Sequence, residues 1–209
     1  MSPDTPVDSA AWRRELRRTL IDRRLGAGAD QRLTWSEAIR DTLQALLGPP
    51  AGRVLGFCWP YQGEPDVTAF VRRWIEAGGT AALPVVVQPR HPMVFRRWHP
   101  EAEMTRGVYD IPIPVDTTEL HPQVLLVPLT GFDAAGYRLG YGGGFFDRTV
   151  EQMQPRPTLV GVGFELSRVA TIHPQPHDVP MQCIVTERGA FAPGQGPAGP
   201  APGTAGAAA

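Results

Sequence analysis

The segment 127–148 holds the residues best placed by type and spacing to do chemistry. It reads Val127-Pro128-Leu129-Thr130-Gly131-Phe132-Asp133-Ala134-Ala135-Gly136-Tyr137-Arg138-Leu139-Gly140-Tyr141-Gly142-Gly143-Gly144-Phe145-Phe146-Asp147-Arg148. An apolar run leads into six glycines, and a helical pattern begins at about Gly144. Glycines let the backbone come close to an anion. Successive N–H groups and the start of a helix then attract it. The helix contribution alone is modest, roughly 0.3–1 kcal/mol when exposed, so firm phosphate binding also needs Arg138, Arg148 or a metal. All 20 Lys+Arg positions are arginine. That excludes Schiff-base and pyridoxal-phosphate chemistry, which need a lysine amine, and a standard P-loop, whose lysine reaches the terminal phosphates. The dinucleotide fingerprint fails as well. Gly140-Tyr141-Gly142 gives G-x-G, but Phe145 stands where the helix-packing glycine belongs.

These groups need elements to hold them. Residues 9–25 form an amphipathic helical pattern, with Trp12, Leu16 and Leu20 inward and Ser9 as cap. Its polar side carries Arg13, Arg14, Arg17 and Arg18, which places Arg17 on a solvent-facing stripe. Thr34-Trp35-Ser36-Glu37 is a capping-box pattern, predicting a helix that starts there, uses Trp35, Ile39, Leu43 and Leu46 as its stripe, and stops at Gly48-Pro49-Pro50. Strands are predicted at 53–59, 80–87, 93–98, 123–127, 158–164 and 182–187, and helices at 66–77 and 144–153. Pro84 makes the second strand imperfect or places it at an edge. The order argues for an α/β fold with a central, mostly parallel sheet. One domain spans 9–191. The segment 192–209, with 5 Gly, 4 Pro, 7 Ala and no charge, is expected to be disordered.

Composition narrows the function classes. A net charge of -1 supplies no general attraction to nucleic acid or anionic membrane. No run of about 18 apolar residues is present for a membrane span, and the first residues carry no apolar signal-like core. A cytoplasmic protein is expected. Cys58 and Cys183 sit in apolar runs too far apart for a zinc or redox motif and are expected to be buried, reduced thiols. His91, His99, His121, His173 and His177 lack metal-ligand spacing, and loop positions explain them. Asp133 reads as a turn former, and Arg148 as a partner for a nearby carboxylate.

The run from Arg138 to Arg148 closely resembles the signature of the 5-formyltetrahydrofolate cyclo-ligase family. Arg13-Arg14-Glu15-Leu16-Arg17 resembles that family's N-terminal basic motif, Lys-x-x-Leu-Arg. Gly63-Glu64-Pro65-Asp66, Leu83-Pro84-Val85-Val86, Met93-Val94-Phe95-Arg96-Arg97-Trp98, Phe132-Asp133 and His177-Asp178-Val179-Pro180 follow in the family's order. The resemblance covers about residues 11–188. It implies a three-layer α/β sandwich similar to the sugar-phosphate isomerase and CoA transferase-like group. It also implies ATP- and Mg²⁺-dependent closure of 5-formyltetrahydrofolate to 5,10-methenyltetrahydrofolate, with release of ADP and phosphate. Such phosphoryl transfer rests on positioning and charge neutralisation.

The resemblance also implies roles. Arg13, Arg17, Arg138, Leu139, Gly140, Tyr141, Gly142, Gly143, Gly144, Phe145 and Phe146 would bind ATP. Arg138 and Asp147 would be catalytic, with Asp147 the Mg²⁺ ligand. Glu64 would grip the pterin ring, with Trp98, Tyr141 and Phe145 as aromatic walls. There are departures: Arg13 stands where relatives carry Lys, Phe146 where they carry Tyr, and Gln182 where some carry a metal-binding Asp. A folate- or nucleotide-binding paralogue without turnover, and a sugar-phosphate isomerase of similar fold, are the alternative readings. A monomer without nucleic-acid or membrane partners is expected.

Overall fold

The computed structural model describes residues 9–194. Helix α1 spans Ser9–Gly26 and α2 spans Ala29–Leu47, joined by a turn at Gly28, whose φ of 77° suits glycine. The capping-box expectation is corrected here, because α2 begins five residues before Thr34. The Thr34 hydroxyl instead donates to the Asp30 carbonyl one turn back, as Ser36 does to Arg32 and Thr42 to Ala38. Mid-helix hydroxyls satisfy themselves in this way without ending the helix. Gly48 terminates α2 as expected. The cap expected from Ser9 concerns a side chain outside the described residues.

Strand β1 (Val54–Gly56) leads to helix α3 (Thr68–Glu76) and strand β2 (Thr80–Val85). Strand β3 (Val94–Trp98) follows, then a hairpin of β4 (Met104–Arg106) and β5 (Pro112–Pro114). Next come β6 (Val124–Pro128), the short pair β7 (Gly131–Phe132) and β8 (Arg138–Leu139), and helix α4 (Phe145–Gln152). Strands β9 (Thr158–Val162), β10 (Cys183–Thr186) and β11 (Gly189–Phe191) complete the fold. The main sheet has seven strands in the order β11-β10-β9-β6-β1-β2-β3. The five central strands run parallel, and β3 and β11 are antiparallel edges. Pro84 is tolerated because β1 pairs only with Thr80–Ala82, so at Pro84 strand β2 is paired with β3 alone.

Alternation along the strands builds two cores. Leu55, Val124, Leu126, Val160 and Val185 face α2 and α3, where Ile39, Leu43, Phe70 and Trp74 meet them. Leu125, Val127, Leu159 and Ile184 face the other way, toward Val150 of α4, Met153 just past its end, and Phe132. The result is three layers around a mixed, mostly parallel sheet. Leu20 of α1 packs on Leu139 and Ile172 at one end of it. At Gly56 a Cβ would lie 2.3 Å from a Leu125 methyl, so a larger residue there would force the Leu125 side chain to shift. The disorder expected of the tail concerns 195–209, outside the described residues. Within 192–194, Gly194 N–H donates to the Ala134 carbonyl.

Candidate functional site

β1 and β6 are neighbours in the sheet, and their chains leave in opposite directions, β1 toward β2 and β6 toward β9. Such a switch point opens a crevice at the carboxyl ends of the strands. A cleft of about 370 Å³ lies there. Cys58 after β1, Pro84 and Val86 near the end of β2, and Pro128 of β6 form its floor. The glycine loop Gly140–Gly144 and Arg138 close one side. The segment from Trp59 to Glu64 and the tip of the β4–β5 hairpin, with the exposed Tyr109, close the other.

The glycine loop is shaped by its own residues. Asp133 is the turn former expected: its carboxylate accepts from the backbone N–H groups of Ala135, Tyr137 and Ile172. Gly142 and Gly144 sit at φ of 91° and 61°, where a side chain would be strained. Gly144 caps α4, which places Asp147 in that helix's first turn. Arg138 donates to Asp147 Oδ2 at 3.1 Å and lies over the Phe146 ring. Its Nε has no partner among the described residues. Arg148 does not pair with a carboxylate among the described residues. It donates to the Gly143 carbonyl and stacks over Phe145.

Helix α1 contributes more than its hydrophobic pattern suggests. Arg13, Arg17, Leu20 and Arg24 fall on one stripe of the helix and turn inward. Arg17 is therefore not on a solvent-facing stripe. It lines the cleft and donates its Nε–H to the Gly140 carbonyl at 2.6 Å. Burial, then the neighbouring Arg13 and Arg14, pull its pKa below the usual guanidinium value. Arg13 is paired with Asp178 and also donates to the His173 carbonyl. Burial pushes the Asp178 carboxyl up, but the Arg13 hydrogen bond and the Gln175 N–H outweigh it and hold the pKa below the usual carboxylate value.

Glu64 is buried at the cleft wall. It accepts from the Tyr141 hydroxyl at 2.7 Å and from the Tyr61 N–H at 3.1 Å. Burial raises its pKa, against the lowering effect of the Tyr141 hydrogen bond and of Arg24. Both cysteines are free. The Cys58 thiol is pushed well up by burial and by Glu64, which keeps it neutral.

The structure thus brings together Arg13, Arg17, Glu64, Arg138, Tyr141, the glycines, Phe145, Phe146 and Asp147 around one cavity. It leaves out two residues. Trp98 does not line the cleft: it is 3% exposed and packs edge-on against Phe57 and Trp59, and Trp59 is the ring that faces the cavity. The reason is strand alternation, which turns Trp98 into the core between the sheet and α3. Leu139 likewise points into the packing with Leu20 and Ile172. Gln182 is not at the cleft either. Its side-chain oxygen accepts from Leu159 N–H on β9, while Asp178 is the second carboxylate lining the cavity near Asp147. Sequence reasoning gave no role to Tyr61, Tyr109, Asp178 or Arg24. For Arg24 the signal was available in its helical spacing from Arg13 and Arg17.

The profile of the 5-formyltetrahydrofolate cyclo-ligase family matches residues 9–187. The 5-formyltetrahydrofolate cyclo-ligase of Escherichia coli K12 is 32% identical over 137 residues, 60% of this chain and 73% of the relative. That of Mycolicibacterium smegmatis is 28% identical over 183 residues, 83% of this chain and 93% of the relative. In fold, the chain is similar to the 5,10-methenyltetrahydrofolate synthetase of Aquifex aeolicus. The TM-score is 0.76 at 23% identity, covering 93% of this chain and 99% of the other. The synthetase of Mycoplasma pneumoniae gives a TM-score of 0.70 at 21% identity, covering 87% and 99%.

Proposed function

The chain belongs to the 5-formyltetrahydrofolate cyclo-ligase family, and from that premise we propose that its cleft uses ATP to close 5-formyltetrahydrofolate into 5,10-methenyltetrahydrofolate. One observation carries the reading. A glycine loop flanked by three arginines, and a buried carboxylate suited to an N–H-rich ring, face each other across one cavity.

The γ-phosphoryl group passes to the formyl oxygen, and ADP leaves. N10 of the folate then attacks the activated carbon, its C–O bond to the phosphorylated oxygen breaks, and phosphate departs with the N10 proton passing to solvent. No protein nucleophile is needed, which suits a chain without lysine. Positioning and charge neutralisation carry such a transfer. Arg13, Arg17, Arg138 and the backbone N–H groups of Gly140–Gly144 are the groups assigned to the phosphates. Arg138 is assigned to the transferring phosphoryl group, on the strength of its unpartnered buried Nε. Glu64 accepts from the pterin N–H donors, with Trp59, Tyr61, Tyr141 and Phe145 as ring walls.

Asp147 is assigned to Mg²⁺. Among the described residues no group of three or more His, Cys, Asp or Glu is assembled for a metal. The Asp147 carboxylate at the cleft fits an ion held mainly by phosphate oxygens and water, with one or two carboxylates from the protein. Mg²⁺ bound there would neutralise charge on the phosphates. All these groups come from one chain, so a monomer suffices. Among the described residues no helix is long and apolar enough to cross a membrane; ATP and reduced folate as substrates favour a cytoplasmic reaction.

The test is direct. Purified protein with 5-formyltetrahydrofolate and Mg·ATP should generate methenyl absorbance, and omitting ATP should abolish it. Absence of signal above a no-enzyme control sinks the reading. The reading of a binding paralogue without turnover leaned on Gln182 and Phe146. Gln182 no longer supports it, since its amide is committed to the β9 backbone away from the cleft.

A further inference from the structure

Arg24 lies in the last turn of α1, is 1% exposed, and touches none of the groups just assigned except Tyr141. Its Nη2 donates to the Tyr141 hydroxyl at 2.9 Å and its Nε to the Gln62 carbonyl at 3.0 Å. Among the described residues no carboxylate pairs with it directly. A buried guanidinium is costly unless its charge is answered, so its location calls for an explanation.

The hydrogen-bond arithmetic supplies one. A guanidinium can only donate, and a phenol has a single proton. Tyr141 Oη must therefore accept from Arg24, and its own proton goes to Glu64 Oε1, 2.7 Å away, in preference to the Tyr61 carbonyl at 3.5 Å. The Tyr61 N–H takes Glu64 Oε2 at 3.1 Å. Three segments far apart in the chain meet at one phenol oxygen: the end of α1, the turn after β1, and the glycine loop. Tyr61 and Tyr141 are also packed ring to ring, 5.5 Å apart.

We infer that Arg24 is a positioning residue for folate recognition, acting through Tyr141 to orient Glu64 and to offset the cost of burying its carboxylate, and tying it to the glycine loop. The inference rests on the reading of Glu64 as the folate carboxylate. It goes further by naming a residue that does not itself line the cleft. The groups facing Glu64 are Tyr141 from the glycine loop, Arg24 from α1 and the Cys58 thiol after β1. Burial holds both the Cys58 thiol and the Tyr141 phenol above their usual range, and against the desolvation of Glu64 stand the Tyr141 hydrogen bond and then the charge of Arg24. Because Tyr141 belongs to the phosphate loop, disturbing that loop disturbs the folate carboxylate, and the two substrate sites are thereby linked.

The experiment is calorimetric titration of 5-formyltetrahydrofolate across pH on the wild-type protein, Arg24→Met, Tyr141→Phe and the double variant, alongside the cyclisation assay. In the wild type, binding weakens as pH falls through the Glu64 titration. Removing Arg24 raises that titration further, so the weakening begins at higher pH. Each single variant should weaken folate binding, most of all between the wild-type and the displaced Glu64 titrations, where one unit of displacement is worth up to about tenfold. For Arg24→Met, kcat at saturating folate should change far less. The double variant should be no worse than the poorer single one, because both act along one chain of contacts.

Tyr141 is 39% exposed, so its variant remains informative if Arg24→Met fails to fold. Wild-type affinity and pH dependence in Tyr141→Phe overturn the inference, as does the same result in a folded Arg24→Met. Wild-type protein that binds folate but does not cyclise it overturns the proposed function and leaves this inference to its own readout. Wild-type protein that does not bind folate overturns both.

Discussion

Arg138 and Asp147 form an ion pair at 3.1 Å, with side chains 7% and 16% exposed, where the glycine loop turns into α4. Each would otherwise be a poorly solvated charge, so each holds the other in place at the cleft. The pair also sets a competition, because the proposed reaction needs Arg138 on phosphate and Asp147 on the metal.

Asp147→Asn should cost roughly a hundredfold in kcat, as loss of a charge-stabilising group typically does. The fold should survive, since Asn keeps the shape and Asp147 is only partly buried. The assay is methenyl formation with Mg²⁺ titrated from low to high concentration. Near wild-type turnover at ordinary Mg²⁺ would remove Asp147 from the metal.

Arg17→Ala should raise the KM for ATP about tenfold, as expected for loss of a charge-assisted hydrogen bond. It should also lower thermal stability slightly, because the Nε–H bond that ties α1 to Gly140 is lost. Unchanged ATP kinetics would make Arg17 a brace for the loop rather than a phosphate ligand.

Trp98 and Trp59 should behave differently when shortened. Trp98→Ala empties a fully enclosed core site and should destabilise by about 3–5 kcal/mol, measured by denaturant unfolding. Trp59→Ala should cost less stability and raise the KM for folate. The opposite pattern would return Trp98 to the substrate wall.

Asp178 supplies a pH prediction. Its folded-state pKa is lower than in the unfolded chain, so its contribution is present above the unfolded value, near 4, and is lost as pH falls through the folded value. Melting temperature should therefore fall with pH below about 4 in the wild type, and less steeply in Asp178→Asn. Parallel melting curves for the two proteins would show that the Arg13 pair adds nothing.

The chain by itself determined the central sheet, because strand lengths and buried apolar runs are local properties. It also pointed to the glycine loop and to Asp147, since glycine spacing and a first-turn acid are local too. The start of α2 was less legible for a complementary reason: a hydroxyl three residues before a glutamate reads as a cap, yet the helix begins earlier, with Arg32 N–H donating to the Gly28 carbonyl and the Arg32 guanidinium tying this first turn to the Arg24 and Leu25 carbonyls at the end of α1. Only tertiary structure decided which side chains face the cleft. Strand alternation sent Trp98 inward, Leu139 was claimed by packing with Leu20, and Arg17 and Arg24 were drawn inward by partners 123 and 117 residues away. Side-chain direction at the cleft depends on which distant groups complete a hydrogen bond or fill a core, and spacing along the chain carries no record of that.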